Sequence, residues 1–156
     1  MNVELAQAGI ARAKRWLQGA ERALQDNRWD DAVYTAQMAV EQGSKAVLIA
    51  LGIDYPKEHD VSDVLFPLKE RKDLPTWFRD DVPPIAEVVA ELAEQRGLAG
   101  YGFETGVDAE HFRSYSPEAY QRSKKALDSC SKLIDELFMK KSRKKRGEET
   151  ISAPER

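Results

Sequence analysis

Lys57, His59 and Asp60 stand together in the run Pro56-Lys57-Glu58-His59-Asp60, which puts a cation, a titratable ring and a carboxylate in one short turn. Imidazole exchanges its proton near neutral pH, and beside a helix entrance it can meet an anionic group such as a phosphate. A plain solvent-exposed turn, with Asp60 capping the helix that follows, accounts for the same residues. Lys45 interrupts a wide apolar helix and offers a second cation, although a lysine at the edge of a buried face also extends its head to water. Further along, Arg96 and Tyr101 bracket a glycine-containing stretch. A guanidinium forks onto phosphate and a tyrosine stacks or hydrogen-bonds; helix termination with an aromatic anchor is the structural alternative.

Other chemistries lack their residues. Gly97, Gly100, Gly102 and Gly106 are not followed by Gly-Lys-Ser or Gly-Lys-Thr and make no phosphate-loop fingerprint. His59 and His111 are isolated from one another and the acidic residues fall at no ligand spacing, so no metal site and no cofactor are expected. The single cysteine, Cys130, has no partner for a disulfide or a zinc site and occupies an apolar helical position. Trp16 and Trp29 read as packing residues, and Trp77-Phe78 as cover for a bundle end or a partner surface.

Helical periodicity supplies the frame that would position these groups. Leu5, Ala13, Trp16, Leu17, Ala20, Ala23 and Leu24 form a stripe over a first helix from Val3 to Gln25. A second helix opens at Trp29 or Asp30 and ends at Leu51, before Gly52. Its apolar and small residues fall on two rows, Val33, Ala36, Val40, Gly43, Val47 and Leu51 beside Ala32, Ala39, Ala46 and Ala50, which makes it central. The break at Asp26-Asn27 favours an antiparallel hairpin. Asp60 starts a short third helix that Pro67 limits; residues 73–84, with Pro75, Pro83 and Pro84, read as an irregular link. A fourth helix spans Pro84 or Ile85 to Arg96, and the glycine stretch after it reads as a loop. The last helix starts at Ser116, an N-cap before Pro117, with Tyr120, Leu127, Cys130, Ile134, Leu137 and Phe138 turned inward. The expected fold is all-α, an antiparallel up-and-down bundle of about five helices.

The 156 residues make about one domain, and 42% hydrophobic with 33% charged residues is a globular composition. No apolar run is long enough to cross a bilayer and the first residues show no leader pattern, so a cytoplasmic location is expected, with no membrane contact. The net charge of −3 divides unevenly, with +4 on residues 140–156 and −7 on the rest. The expected division is a bundle over 1–139 and a basic, then polar, flexible tail over 140–156. Six basic residues in the seven positions 140–146 could hold nucleic acid weakly. No aromatic residue interleaves them to stack bases, and a solvated helix end explains them as well.

Ala36-Gln37-Met38-Ala39-Val40-Glu41, Lys45, the turn from Pro56 to Asp60, and Arg96-Gly97-Leu98-Ala99-Gly100-Tyr101-Gly102, in this order and separation, resemble the HEPN domain family from about Ala13 to Leu137. The resemblance implies an antiparallel helical bundle that pairs as a homodimer and is often encoded beside a minimal nucleotidyltransferase. Its members include ribonucleases and noncatalytic or nucleotide-binding partners. The family's ribonuclease signature, an Arg and a His separated by four to six residues, is absent: Gly52, Ile53 and Asp54 stand at that spacing before His59, and Glu104, Thr105 and Gly106 before His111. The resemblance therefore favours a noncatalytic nucleotide-binding or regulatory partner of a minimal nucleotidyltransferase, in a toxin–antitoxin-type pair. Its ligand-binding residues would be Lys45, Lys57, His59, Asp60, Arg96 and Tyr101. Two alternatives differ in class. One is a divergent HEPN ribonuclease toxin in which His59 or His111 works with Arg96 or Arg113; the other is a helical dimerisation module with a nucleic-acid-binding tail. The dimer is expected to close near the second helix and the glycine stretch.

Overall fold

The computed structural model describes residues 2–151, with side chains to Gly147. Among these residues the helices are α1 (Val3–Gln25), α2 (Trp29–Leu51), α3 (Ser62–Leu65), α4 (Thr76–Tyr101) and α5 (Ser116–Ile151), and there is no strand. Short 3-10 turns fill Phe66–Glu70, Gly102–Thr105 and Ala109–Phe112.

α2 is the axis of the bundle, and α1, α4 and α5 all pack against it. Small residues set how closely they approach. A Cβ on Gly43 would stand 2.6 Å from Leu127 Cδ1 of α5, and one on Gly100 of α4 would stand 3.1 Å from the Tyr34 ring. The α1–α2 hairpin turns through Asn27, which takes the left-handed conformation at φ 59°. α2 ends on Gly52 at φ 71°, whose N–H returns to the last carbonyls of the helix. The Asn2 side chain caps α1 by accepting from the Leu5 N–H at 2.9 Å.

Several expectations need correction. α4 begins at Thr76 and runs through Pro83 and Pro84. Proline lacks an N–H and crowds the preceding turn, so a pair of them reads as a break. Here Phe78, Val82, Ile85 and Val89 are buried on both sides of the pair, and the core holds the helix across it. Residues 97–101 also belong to α4; the chain leaves the helix only at the 3-10 turn that follows, which ends on Gly106 at φ 81°. Ser116 does not act as the cap: its buried Oγ has no hydrogen-bond partner among the described residues, and the first helical bond runs from the Ala119 N–H to the Tyr115 carbonyl. In α1, Leu5 is exposed and Val3, Ala6 and Ile10 are buried instead.

α5 stays helical past the basic cluster as far as Ile151, and tail residues 152–156 lie outside the described residues. Lys141 pairs with Glu4 of α1 at 3.1 Å. Cys130 is buried within the core. Among the described residues no helix is long and apolar enough to cross a membrane, and no group of three or more His, Cys, Asp or Glu could hold a metal ion.

Candidate functional site

Tyr34, Gln37, Glu41 and Lys45 follow one another at helical spacing along α2, a polar row on a helix that is otherwise largely apolar. Glu41 is its centre, with a side chain only 8% exposed. Its Oε1 accepts from Gln37 Nε2 at 2.7 Å and meets His59 Nδ1 at 2.9 Å, while Oε2 accepts from Lys45 Nζ at 2.8 Å. An ionised carboxylate only accepts, so this contact assigns a proton to His59 Nδ1 and turns Nε2 away from Glu41. Burial pushes the Glu41 carboxyl up; hydrogen bonds from Lys45, Gln37 and His59 outweigh it and hold the group below its ordinary value.

The row continues to α4. Gln37 is fully buried, and its Oε1 accepts from Arg96 Nε at 3.1 Å. Arg96 Nη2 donates to the Tyr34 hydroxyl at 2.8 Å, and its guanidinium carbon lies 4.8 Å from the Tyr34 ring centroid. The absence of a Cβ at Gly100 makes room for that ring. One hydrogen-bonded chain thus joins α4, α2 and the turn before α3, and each buried polar group in it has a partner.

At the His59 end the row opens into a cavity of about 780 Å³. Small-molecule sites occupy roughly 300–1,000 Å³. Lys45, Lys57 and His59 line it together, as their sequence grouping suggested, beside Glu41 and Asn2. Asp54 and Glu58 line it too. An anion would therefore be held by individual contacts and not by a broad positive field. Lys45 also lies over the Tyr55 ring, with Nζ 5.5 Å from its centroid.

The other expected site residues are placed differently. Arg96 is one step removed, reaching Glu41 through Gln37 and tying α4 to α2. Asp60 lies outside the cavity lining and accepts from the Ser62 N–H at 2.9 Å, so it shapes the entry to α3. Tyr101 is 58% exposed at the end of α4 and does not line the cavity. His111 packs edge-on against Phe112, and Arg113 pairs with Glu110 at 3.0 Å. The residues that sequence reasoning missed are Tyr34, Gln37 and Glu41. Their signal was the polar row itself, at intervals of three and four, on a helix whose other faces are small and apolar.

The model of the HEPN domain family matches residues 6–141 of the chain. A curated protein of Methanocaldococcus jannaschii, named as a candidate toxin, is 41% identical over 63 residues, which is 40% of this chain and 41% of the relative. The match therefore spans about two fifths of that relative's length. No solved structure matches the chain.

Proposed function

The chain belongs to the HEPN domain family, and from that premise we propose that it is the HEPN half of a toxin–antitoxin-type pair, a noncatalytic nucleotide-binding or regulatory partner of a minimal nucleotidyltransferase. The Glu41 hub carries the reading: one buried carboxylate gathers Lys45 and His59 at the edge of a cavity of nucleotide size. A phosphate entering there meets Lys57, which makes no ion pair among the described residues. It then competes with Glu41 for Lys45 and for the His59 Nδ1–H. Charge is exchanged for charge, which favours modest affinity. The name of the archaeal relative supports the pair, and the missing Arg-to-His spacing supports a noncatalytic role.

A homodimer belongs to the same proposal, with a changed surface. α2 is covered within one chain by α1, α4 and α5, so its many apolar faces do not call for a second copy. Exposed Leu98, Tyr101 and Phe103 at the end of α4 offer apolar surface instead. Co-expression with a minimal nucleotidyltransferase drawn from a gene adjacent to that of the chain, where one is found, followed by gel filtration and titration with ATP, tests the proposal. Co-elution and saturable binding are expected. Separate elution together with no ATP binding would remove its support.

A second reading, a divergent ribonuclease, is favoured by one observation. Glu41 holds His59 Nδ1 and leaves Nε2 available, which is how a positioned general base is presented. Arg96 is linked to the same carboxylate, but its Nε and Nη2 are engaged by Gln37 and Tyr34, which makes it a poor phosphate clamp. RNA incubated with chelator and purified protein separates the two. Cleavage abolished by His59→Ala and retained by His111→Ala would replace the noncatalytic proposal.

A further inference from the structure

The start of α1, the end of α2, the segment before α4 and the late turns of α5 meet around a second cavity, of about 410 Å³. Its floor is aliphatic, with Leu51, Leu74 and Leu137, and its rim is basic, with Arg71, Lys140, Lys141 and Lys144. Asp73 is the carboxylate in this lining, and Arg71 already grips it at 2.8 Å. Lys141 holds Glu4 in an exposed pair that a competing carboxylate can displace. Lys140 and Lys144 make no hydrogen bond or close ion pair among the described residues, though the charge of Lys140 reaches Asp73.

We propose that this notch docks a short acidic segment of a protein partner, with carboxylates on Lys140 and Lys144 and an apolar side chain on the leucine floor. Charge complementarity selects the sign of the segment, and the floor selects its chemistry. A nucleic-acid backbone would supply the charge but nothing to bury against leucine, and no aromatic residue lines the notch to stack a base. Val3 and Leu51 in the notch adjoin Asn2 and Gly52 in the His59 cavity, so a docked segment lies beside that cavity. The proposal does not depend on nucleotide binding.

The test is fluorescence anisotropy with the full chain and a labelled Glu-rich peptide carrying two leucines one helical turn apart. The same peptide with Ser for Leu, and a single-stranded RNA of matched charge, form the other arms. The leucine peptide is expected to bind, and the Ser peptide and the RNA to bind more weakly. Lys140→Glu with Lys144→Glu should weaken the leucine peptide about tenfold, a change of about 1.4 kcal/mol. Lys124→Glu with Lys125→Glu, an equal charge change elsewhere on α5, should leave it unchanged, with circular dichroism confirming that both variants are folded. Absence of peptide binding, equal loss in both double variants, or equal binding of the Ser peptide overturns the proposal. RNA bound more tightly than the peptide and lost on reversal at 140 and 144 would make the notch a nucleic-acid surface instead.

Discussion

Glu41 decides what Lys45 and His59 can do, because both spend a hydrogen bond on it, which fixes where the remaining Lys45 N–H groups and His59 Nε2 point. Its carboxyl is held below the ordinary value, against the opposing effect of burial. The folded value therefore lies below the unfolded one, which is about 4.3 for a free Glu. Its stabilising contribution is complete above that value and is lost as pH falls through the lowered one. Glu41→Gln keeps the shape and removes the charge, so urea unfolding at neutral pH should show a loss of about 1–3 kcal/mol. The difference from wild type should shrink in acid; a difference independent of pH would contradict the assignment. Cys130 is a second residue-level test. Burial pushes its thiol up to about 12, so thiolate is scarce at mildly alkaline pH. Iodoacetamide should leave the native chain unmodified by mass spectrometry and alkylate it in urea; rapid native labelling would contradict the burial. Lys45, Lys57 and His59 were legible because a cation inside an apolar helix and a His in a charged turn are conspicuous in sequence. Glu41 and Gln37 were not, since polar residues on a helix ordinarily face water, and only the packing of α4 and the turn before α3 buries them.

At the level of elements, the periodic stripes defined α1, α2 and the start of α5, and the structure places them where the pattern did. α4 was cut short at both ends for local reasons. Pro83-Pro84 signals a break when only neighbouring residues are considered, and the glycines after Arg96 signal a loop. Both signals yield to tertiary packing, because Phe78 and Val82 before the prolines, and Ala99 after Gly97, are buried. The glycines themselves then separate into different roles. Gly97 lies inside α4 with open space around it, so Gly97→Ala should raise stability by about 0.5–1 kcal/mol through helix propensity. Gly43 faces Leu127 at the α2–α5 contact, where Gly43→Val should lower stability by about 1–3 kcal/mol through overpacking. Denaturant midpoints of the two variants check both signs. The same shift in both would mean that the close approach of α2 and α5 is not limiting.

Across the whole molecule, the start of α1 and the end of α2 contribute to both the His59 cavity and the basic notch, so the chain places these two candidate sites at one end of the bundle. The all-α class and the family were readable from the order of motifs, while this convergence was not, because it depends on how α5 lies against the start of α1. The central claim is that the Glu41-held pair is an anion site. It can be followed without labels on the ligand, because the chain has two histidines, His59 in the cavity and His111 against Phe112. The most direct measurement is a titration of the ¹⁵N-labelled full chain with ATP, reading both imidazoles by NMR, alone and with Lys45→Ala. The account predicts a saturable shift of the His59 resonances, a stationary His111, and a weakened response in the variant. A His59 signal unmoved at millimolar ATP, or both histidines shifting in parallel, would contradict it.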